Sequence, residues 1–390
     1  MSDAPARIAS RMQRIRPFYV MDLLGRAKEL ERQGRSIVHL EIGEPDFVTP
    51  TPIIRAGQRA LEEGRTHYTP ALGLPELRQA IAEDYRQRFG LDLDPRRVIV
   101  TPGASGALQL VMSVLVNPGD KVLLADPGYP CNRHFVELVN GVPVAVPVGP
   151  ESGFQLTAAQ TLAAWEEGVR AVMVATPSNP TGTLLDPEQL AALYQVVSGQ
   201  GGRLIVDEIY HSLVYGIQPY TALSLTDEVF IINSFSKYFG MTGWRLGWIV
   251  APEAYVDAID RLAQNIFLAA PTLSQHAALA AFEPETLEIV EQRRQAFEKR
   301  RDYLLPALRE LGFEISVTPR GAFYLYADCG GLAEDSGALA NRLLESVGVA
   351  VTPGMDFGRN RPERYLRFAY TTSLEQLREG VRRIREFLGA

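Results

Sequence analysis

The segment SFSKYFGMTGWRLGW, residues 234–248, sets two hydroxyls, Ser234 and Ser236, beside one amine, Lys237. Arg245 follows eight residues on. A lysine near the end of a buried strand loses solvation, its pKa falls, and its amine becomes a nucleophile toward an aldehyde. Ser234, Ser236 and Arg245 together offer a phosphate two hydroxyls and a planar fork of donors. For a lone lysine the plainer reading, a solvated surface cation with a chance arginine nearby, is the default. TPGASGAL, residues 101–108, joins a tight glycine turn to a helix start. There the N–H groups of Ala104 and Ser105 point outward, and the helix end carries about half a positive charge, which suits an anion. A turn and cap without a ligand explains the same letters. Asp207 closes an apolar run, where a carboxylate needs a partner. A protonated ring nitrogen would serve, and so would a helix start or a structural ion pair. Asn179 in PSNPTG reads equally as a turn residue, and Tyr129 in DPGYP and Tyr210 in DEIYH equally as core aromatics.

What decides between these readings is the scaffold. Between about residues 95 and 250, short apolar runs alternate with turns and helical stretches. The runs are RVIV (97–100), KVLLA (121–125), PVAVPV (143–148), AVMVA (171–175), RLIV (203–206), EVFII (228–232) and RLGWIV (245–250). Continuous apolar runs of this length suit strands buried on both faces. Stretches between them, such as ALQLVMSVL and DPEQLAALYQVV, carry apolar residues at helical spacing. Such alternation predicts an α/β fold with a mostly parallel seven-stranded sheet between helices. Ligands of open parallel sheets bind beyond the carboxyl ends of the strands. All the residues singled out above follow strand ends, so the sheet gathers them on one rim.

From about residue 285 the pattern changes to long charged helices, then strands FEISV (313–317) and AFYLYA (322–327), then helices again. This predicts a smaller α+β domain over 285–390, a large domain over 46–284, and an N-terminal arm over 1–45. The helical stretch 21–33 of that arm is expected to pack with the small domain.

The formal net charge of −7 argues against a nucleic-acid surface. Cys131 and Cys329 form no paired framework, which suits a reducing compartment. The five histidines stand at no metal-ligand spacing, so no metal site is expected. MSDAPARIASRMQRIRPF lacks the apolar core of a secretory signal, and no apolar stretch approaches a membrane span. The expectation is a cytoplasmic protein with no membrane partner.

Read in order, IGEPDF (42–47), HYTPALGLPELRQAIA (67–82), TPGASGAL, DPGYP, PSNPTG, DEIYHSLVYG (207–216), SFSKYFGMTGWRLGW, GAFYLY (321–326) and YLRFAYT (365–371) form one series. In that order, from about Arg16 to the C-terminus, the chain resembles the class I/II aminotransferases, which are fold type I pyridoxal-phosphate enzymes. The resemblance implies pyridoxal 5′-phosphate as cofactor, carried by Lys237 as a Schiff base, with Lys237 also shuttling a proton. It implies that Asp207 pairs with the pyridinium nitrogen, that Asn179 and Tyr210 bond the phenolic oxygen, and that Tyr129 stacks on the ring. Ala104, Ser105, Ser234, Ser236 and Arg245 would hold the phosphate. Tyr68 would reach the phosphate of a neighbouring subunit, which implies a homodimer with shared sites. Arg367 would clamp the substrate α-carboxylate, helped by Asn179 and the backbone of Gly43.

The activity so implied moves an amino group between an L-amino acid and a 2-oxo acid by a ping-pong cycle. A carbon–sulfur (β) lyase shares the same cofactor residues, and a non-catalytic binding module is a remote alternative. Some relatives that take acidic substrates carry a lysine where this chain has Ser105, and no second arginine stands at a family motif position. Neutral, aromatic or broad specificity is therefore at least as well supported as an aspartate-specific one. The segment Ile15 to Tyr19 folds over the substrate in relatives, though plain packing explains its apolar residues as well.

Overall fold

The computed structural model describes residues 8–389. Residues 1–7, the start of the expected arm and of the segment read for a leader, lie outside that range. The central sheet has seven strands: Val98–Thr101 (β1), Lys121–Asp126 (β2), Val142–Pro147 (β3), Val169–Ala175 (β4), Arg203–Asp207 (β5), Phe230–Ser234 (β6) and Gly247–Val250 (β7). Their spatial order is β1-β7-β6-β5-β4-β2-β3. All neighbours are parallel except β7, which runs against both β1 and β6.

The apolar runs are continuous because the sheet has a separate core on each face. Val100, Leu123, Val172, Val206 and Ile231 point into one. Ile99, Val122, Met173, Ile205 and Ile232 point into the other. Successive residues of a strand face opposite sides, so a strand covered on both has no polar position. The exception is β3, an edge strand whose Pro143 and Pro147 keep that edge from pairing further.

The reversed strand β7 matters for the site. Ser234 pairs with Gly247, so β6 ends and β7 begins at the same rim. The whole connection 235–246 stays there. Two expected boundaries shift for this reason. The strand expected over EVFII, 228–232, spans Phe230–Ser234 and runs on to Ser234 because Ser234 still has a ladder partner. The strand expected from residue 245 starts at Gly247, because Arg245 takes a left-handed backbone with φ 53°.

Beyond residue 284 a long helix, Pro284–Glu310, leads to a three-stranded antiparallel sheet. Its strands are Tyr324–Asp328 (β8), Thr352–Pro353 (β9) and Tyr365–Ala369 (β10), with β10 in the centre. The expected strand FEISV does not form. Only Glu314 bridges Asp328, while the Ile315 carbonyl is taken by the Arg309 side chain at 2.7 Å. Phe313, Ile315 and Phe368 instead fill the core of this region, with Leu325 and Leu366. The N-terminal helix Tyr19–Arg32 buries Leu23, Ala27 and Leu30 against Ile37, Leu344 and Ala350. Val38–His39 then pairs with Val349–Ala350. Among the described residues no helix is long and apolar enough to cross a membrane.

Candidate active site

A cavity of about 670 Å³ opens between the rim of the central sheet, the start of the N-terminal helix and the small sheet. Five rim segments deliver its polar groups, at residues 104–105, 129, 179, 207–210 and 234–245. The helix Gly103–Leu115 begins there with Ala104 and Ser105. Its first N–H groups have no intrahelical acceptor. Gly103 has φ 70°, and an added Cβ would lie 2.7 Å from Nη2 of Arg245, so glycine alone lets the arginine approach this helix start. Ser234 Oγ lies 3.0 Å from both Ser236 Oγ and the Leu246 carbonyl, and itself accepts the Ser236 N–H at 3.0 Å. Arg245 Nη1 donates to the Thr242 carbonyl at 3.0 Å. Helix start, paired hydroxyls and guanidinium thus face one end of the cavity, a set of donors suited to a phosphate.

Lys237 and Asp207 line the same cavity. Lys237 Nζ donates to the Gly43 carbonyl at 2.8 Å. Desolvation brings this amine down to about 8, with Glu44 opposing and Arg367 and Arg245 assisting. Asp207, at the end of β5, is 6% exposed. Burial pushes its carboxyl up to about 6 against the Ile209 N–H, which it accepts at 3.0 Å, and against Lys237. Its other oxygen has no protein partner among the described residues. Tyr129 and Tyr210 line the same space, and burial raises both hydroxyls well above the ordinary phenol range.

Arg367, on β10, reaches in from the small sheet. It is 2% exposed and has no carboxylate partner among the described residues. Nη1 donates to Asn179 Oδ1 at 2.9 Å, Nη2 donates to the Glu41 carbonyl, and Nε has no partner. The rings of Tyr324 and Phe357 lie 4.5 and 4.8 Å from its guanidinium. A buried cation held only by neutral groups is built to receive an anion.

Every expected cofactor or substrate residue except Tyr68 lines this one cavity, and of the segment Ile15 to Tyr19 only Phe18 does. Tyr68 is 83% exposed and borders a separate surface hollow with Arg65 and His276. Sequence reading missed Tyr324, which lines the cavity and meets the Tyr210 hydroxyl at 2.8 Å. GAFYLY stood out as a motif, but its tyrosines read as strand residues. Alternation alone does not tell which face of a strand meets a cavity made jointly with another sheet. Among the described residues no cluster of His, Cys, Asp or Glu could hold a metal ion.

Comparison with known proteins places the chain in a family. Residues 35–384 match the family model for aminotransferase class I and II. The chain is 40% identical over 374 residues to a valine–pyruvate aminotransferase of Mycobacterium tuberculosis, covering 95% of this chain and 96% of that one. It is 38% identical over 384 residues to a (5-formylfuran-3-yl)methyl phosphate transaminase of Methanocaldococcus jannaschii, covering 98% and 99%. The crystal structure of an aminotransferase from Mycobacterium tuberculosis superposes with a TM-score of 0.95 at 39% identity, over 99% of this chain and 100% of that one. With a family model matched over most of its length and relatives near 40% identical matched nearly end to end, the chain belongs to the class I and II aminotransferases.

Proposed function

We propose that the cavity holds pyridoxal 5′-phosphate on Lys237 and exchanges an amino group between an L-amino acid and a 2-oxo acid in two half-reactions. The single observation that carries this reading is that one cavity contains an amine brought down to about 8, a buried carboxylate with a free oxygen, and a buried arginine without a counter-ion.

The residues present fit the cofactor. Ala104, Ser105, Ser234, Ser236 and Arg245 would hold its phosphate, and Tyr129 its ring face. Asn179 and Tyr210 would bond its phenolic oxygen, and the free oxygen of Asp207 would keep a proton on its ring nitrogen. When bound, the cofactor supplies an electron sink for the pair left at the substrate Cα. The remaining chemistry belongs to this chain. Arg367 holds the substrate α-carboxylate with its fork of donors, while Asn179 and the Glu41 carbonyl fix the guanidinium. Lys237 takes the proton from Cα as a general base and later returns one as a general acid. A pKa near 8 lets the same amine do both near neutral pH.

The division into an arm (1–45), a large domain (46–284) and a small domain (285–390) belongs to the same proposal, supported by a second core around the small sheet that draws mainly on residues beyond 284. So do a homodimer, in which the exposed Tyr68 would serve the neighbouring site, and a cytoplasmic location. The relatives' names differ in substrate, so family membership does not by itself choose one.

The test is an absorbance spectrum of purified protein loaded with pyridoxal phosphate, before and after single L-amino acids without an acceptor. The expected result is loss of the visible band, restored by a 2-oxo acid. Spontaneous return of the band with release of ammonia would instead assign a lyase.

A further inference from the structure

Part of the cavity lining is apolar. Phe18, Val20, Met21 and Leu24 reach it from the start of the N-terminal helix, and Ile42 from the segment beyond. Helix geometry explains the grouping. Residues 20, 21 and 24 share one face, while Leu23, Ala27 and Leu30 are held in the core. Asp356 fixes the start of this helix by accepting the N–H groups of Tyr19 at 3.0 Å and Val20 at 3.3 Å. Phe18 precedes the helix, and its ring stands edge-on to Tyr129 at 6.2 Å. Met21 is 57% exposed, so this wall offers apolar surface that the chain itself leaves uncovered.

The charges around the cavity point the same way. Its cations among the described residues are Lys237, Arg245 and Arg367, and each has a role in the proposed function. Its other charged residues are carboxylates, Asp207 and Glu44, the latter accepting the Thr242 hydroxyl at 2.5 Å. A second carboxylate on the substrate would meet an apolar wall and an anion, and this chain's described lining has no further counter-charge for it. A neutral apolar side chain would cover Phe18 and Met21 and lose nothing.

We propose that the amino donors of this enzyme are L-amino acids with neutral apolar side chains, aliphatic or aromatic, and that Phe18, Met21 and Leu24 determine this choice. The proposal rests on the transaminase reading of the same cavity and names its substrate class.

The experiment is a single half-reaction of the enzyme loaded with pyridoxal phosphate, followed by absorbance without an acceptor. The donors are L-leucine, L-phenylalanine, L-aspartate and L-glutamate, with L-alanine as a side chain too short to reach the wall. The second-order rate constants for leucine and phenylalanine are expected to exceed those for aspartate and glutamate by about a hundredfold. Phe18→Ala is expected to lower the rates for leucine and phenylalanine about tenfold more than the rate for alanine. Phe18→Leu should recover most of the leucine rate. Met21→Arg, at an exposed position that tolerates the change, should raise the ratio of aspartate to leucine about tenfold. Aspartate or glutamate reacting as fast as leucine in the parent enzyme would overturn the proposal. So would a Phe18→Ala enzyme slowed equally toward all donors. A protein that takes up the cofactor yet reacts with no amino acid would sink the transaminase reading itself, and the substrate class with it.

Discussion

The hydroxyls of Tyr210 and Tyr324 meet at 2.8 Å across 114 residues of chain. Tyr210 follows β5 of the central sheet, and Tyr324 opens β8 of the small one. Each hydroxyl has one proton, so if Tyr324 donates to Tyr210, the Tyr210 proton is free to point into the cavity. Tyr324 thereby orients a cavity donor from the opposite sheet.

Tyr324→Phe removes that orientation and keeps the ring that lies against Arg367. Loss of one buried hydrogen bond is worth about 1 kcal/mol, so kcat/KM should fall about fivefold with the cofactor still bound. An unchanged kcat/KM in steady-state kinetics would show that Tyr210 is oriented without it.

Lys237 should react with pyridoxal phosphate as its neutral amine. Because burial holds it near 8, uptake by cofactor-free protein should rise with pH and reach half its maximum near that value. The rate of appearance of the visible band across the pH range measures it. A midpoint near 10.5, the ordinary lysine value, would mean that the amine is solvated. Lys237→Ala should give no band and no covalent adduct by mass spectrometry.

Asp207 makes a stability prediction with a definite sign. Its carboxyl is raised from 3.8 to about 6 in the fold, so between those values the folded state binds more protons than the unfolded one. Stability therefore falls as pH rises through that window, and above it the ionised group is a burden of about 3 kcal/mol on the cofactor-free protein. Asp207→Asn should raise Tm of the cofactor-free protein at pH about 8 and leave it nearly unchanged at pH about 4. The same variant should lose on the order of a hundredfold in transamination, since the amide holds no charge for a ring nitrogen. A lower Tm at the higher pH in calorimetry would contradict this account.

Arg367→Lys keeps the charge and removes the fork. It also abandons Asn179 and the Glu41 carbonyl, which hold the guanidinium in place. We expect kcat/KM to fall about a hundredfold for every donor, whatever its side chain, with most of the change in KM. A loss confined to one donor would place Arg367 at the side chain rather than at the shared carboxylate.

Much of this site was legible in the sequence, for a physical reason. Strands covered on both faces leave an unbroken apolar signature, and in a parallel sheet the residues just after them share a rim. Asp207, Asn179, Ala104 and Lys237 were found in that way. Gly43 was less legible, because it acts through its carbonyl. Its lack of a side chain matters as well, since a Cβ there would fall on the Tyr324 hydroxyl. Tyr324 escaped because its role depends on how two sheets meet. FEISV misled because a carbonyl captured by Arg309 stops a ladder, and alternation of apolar residues does not reveal that competitor. Neither did the apolar runs announce that β7 turns back against its neighbours.

That reversal has a consequence for chain continuity. Lys237 lies three residues beyond Ser234 and Arg245 two before Gly247, and these two strand ends are paired across the sheet. The amine and the guanidinium are therefore held at one another's side by the ladder between β6 and β7, and the peptide that runs from one to the other is a second tether. A backbone nick in the turn near Gly240 would leave both residues anchored. The two fragments would remain one enzyme, joined by the sheet.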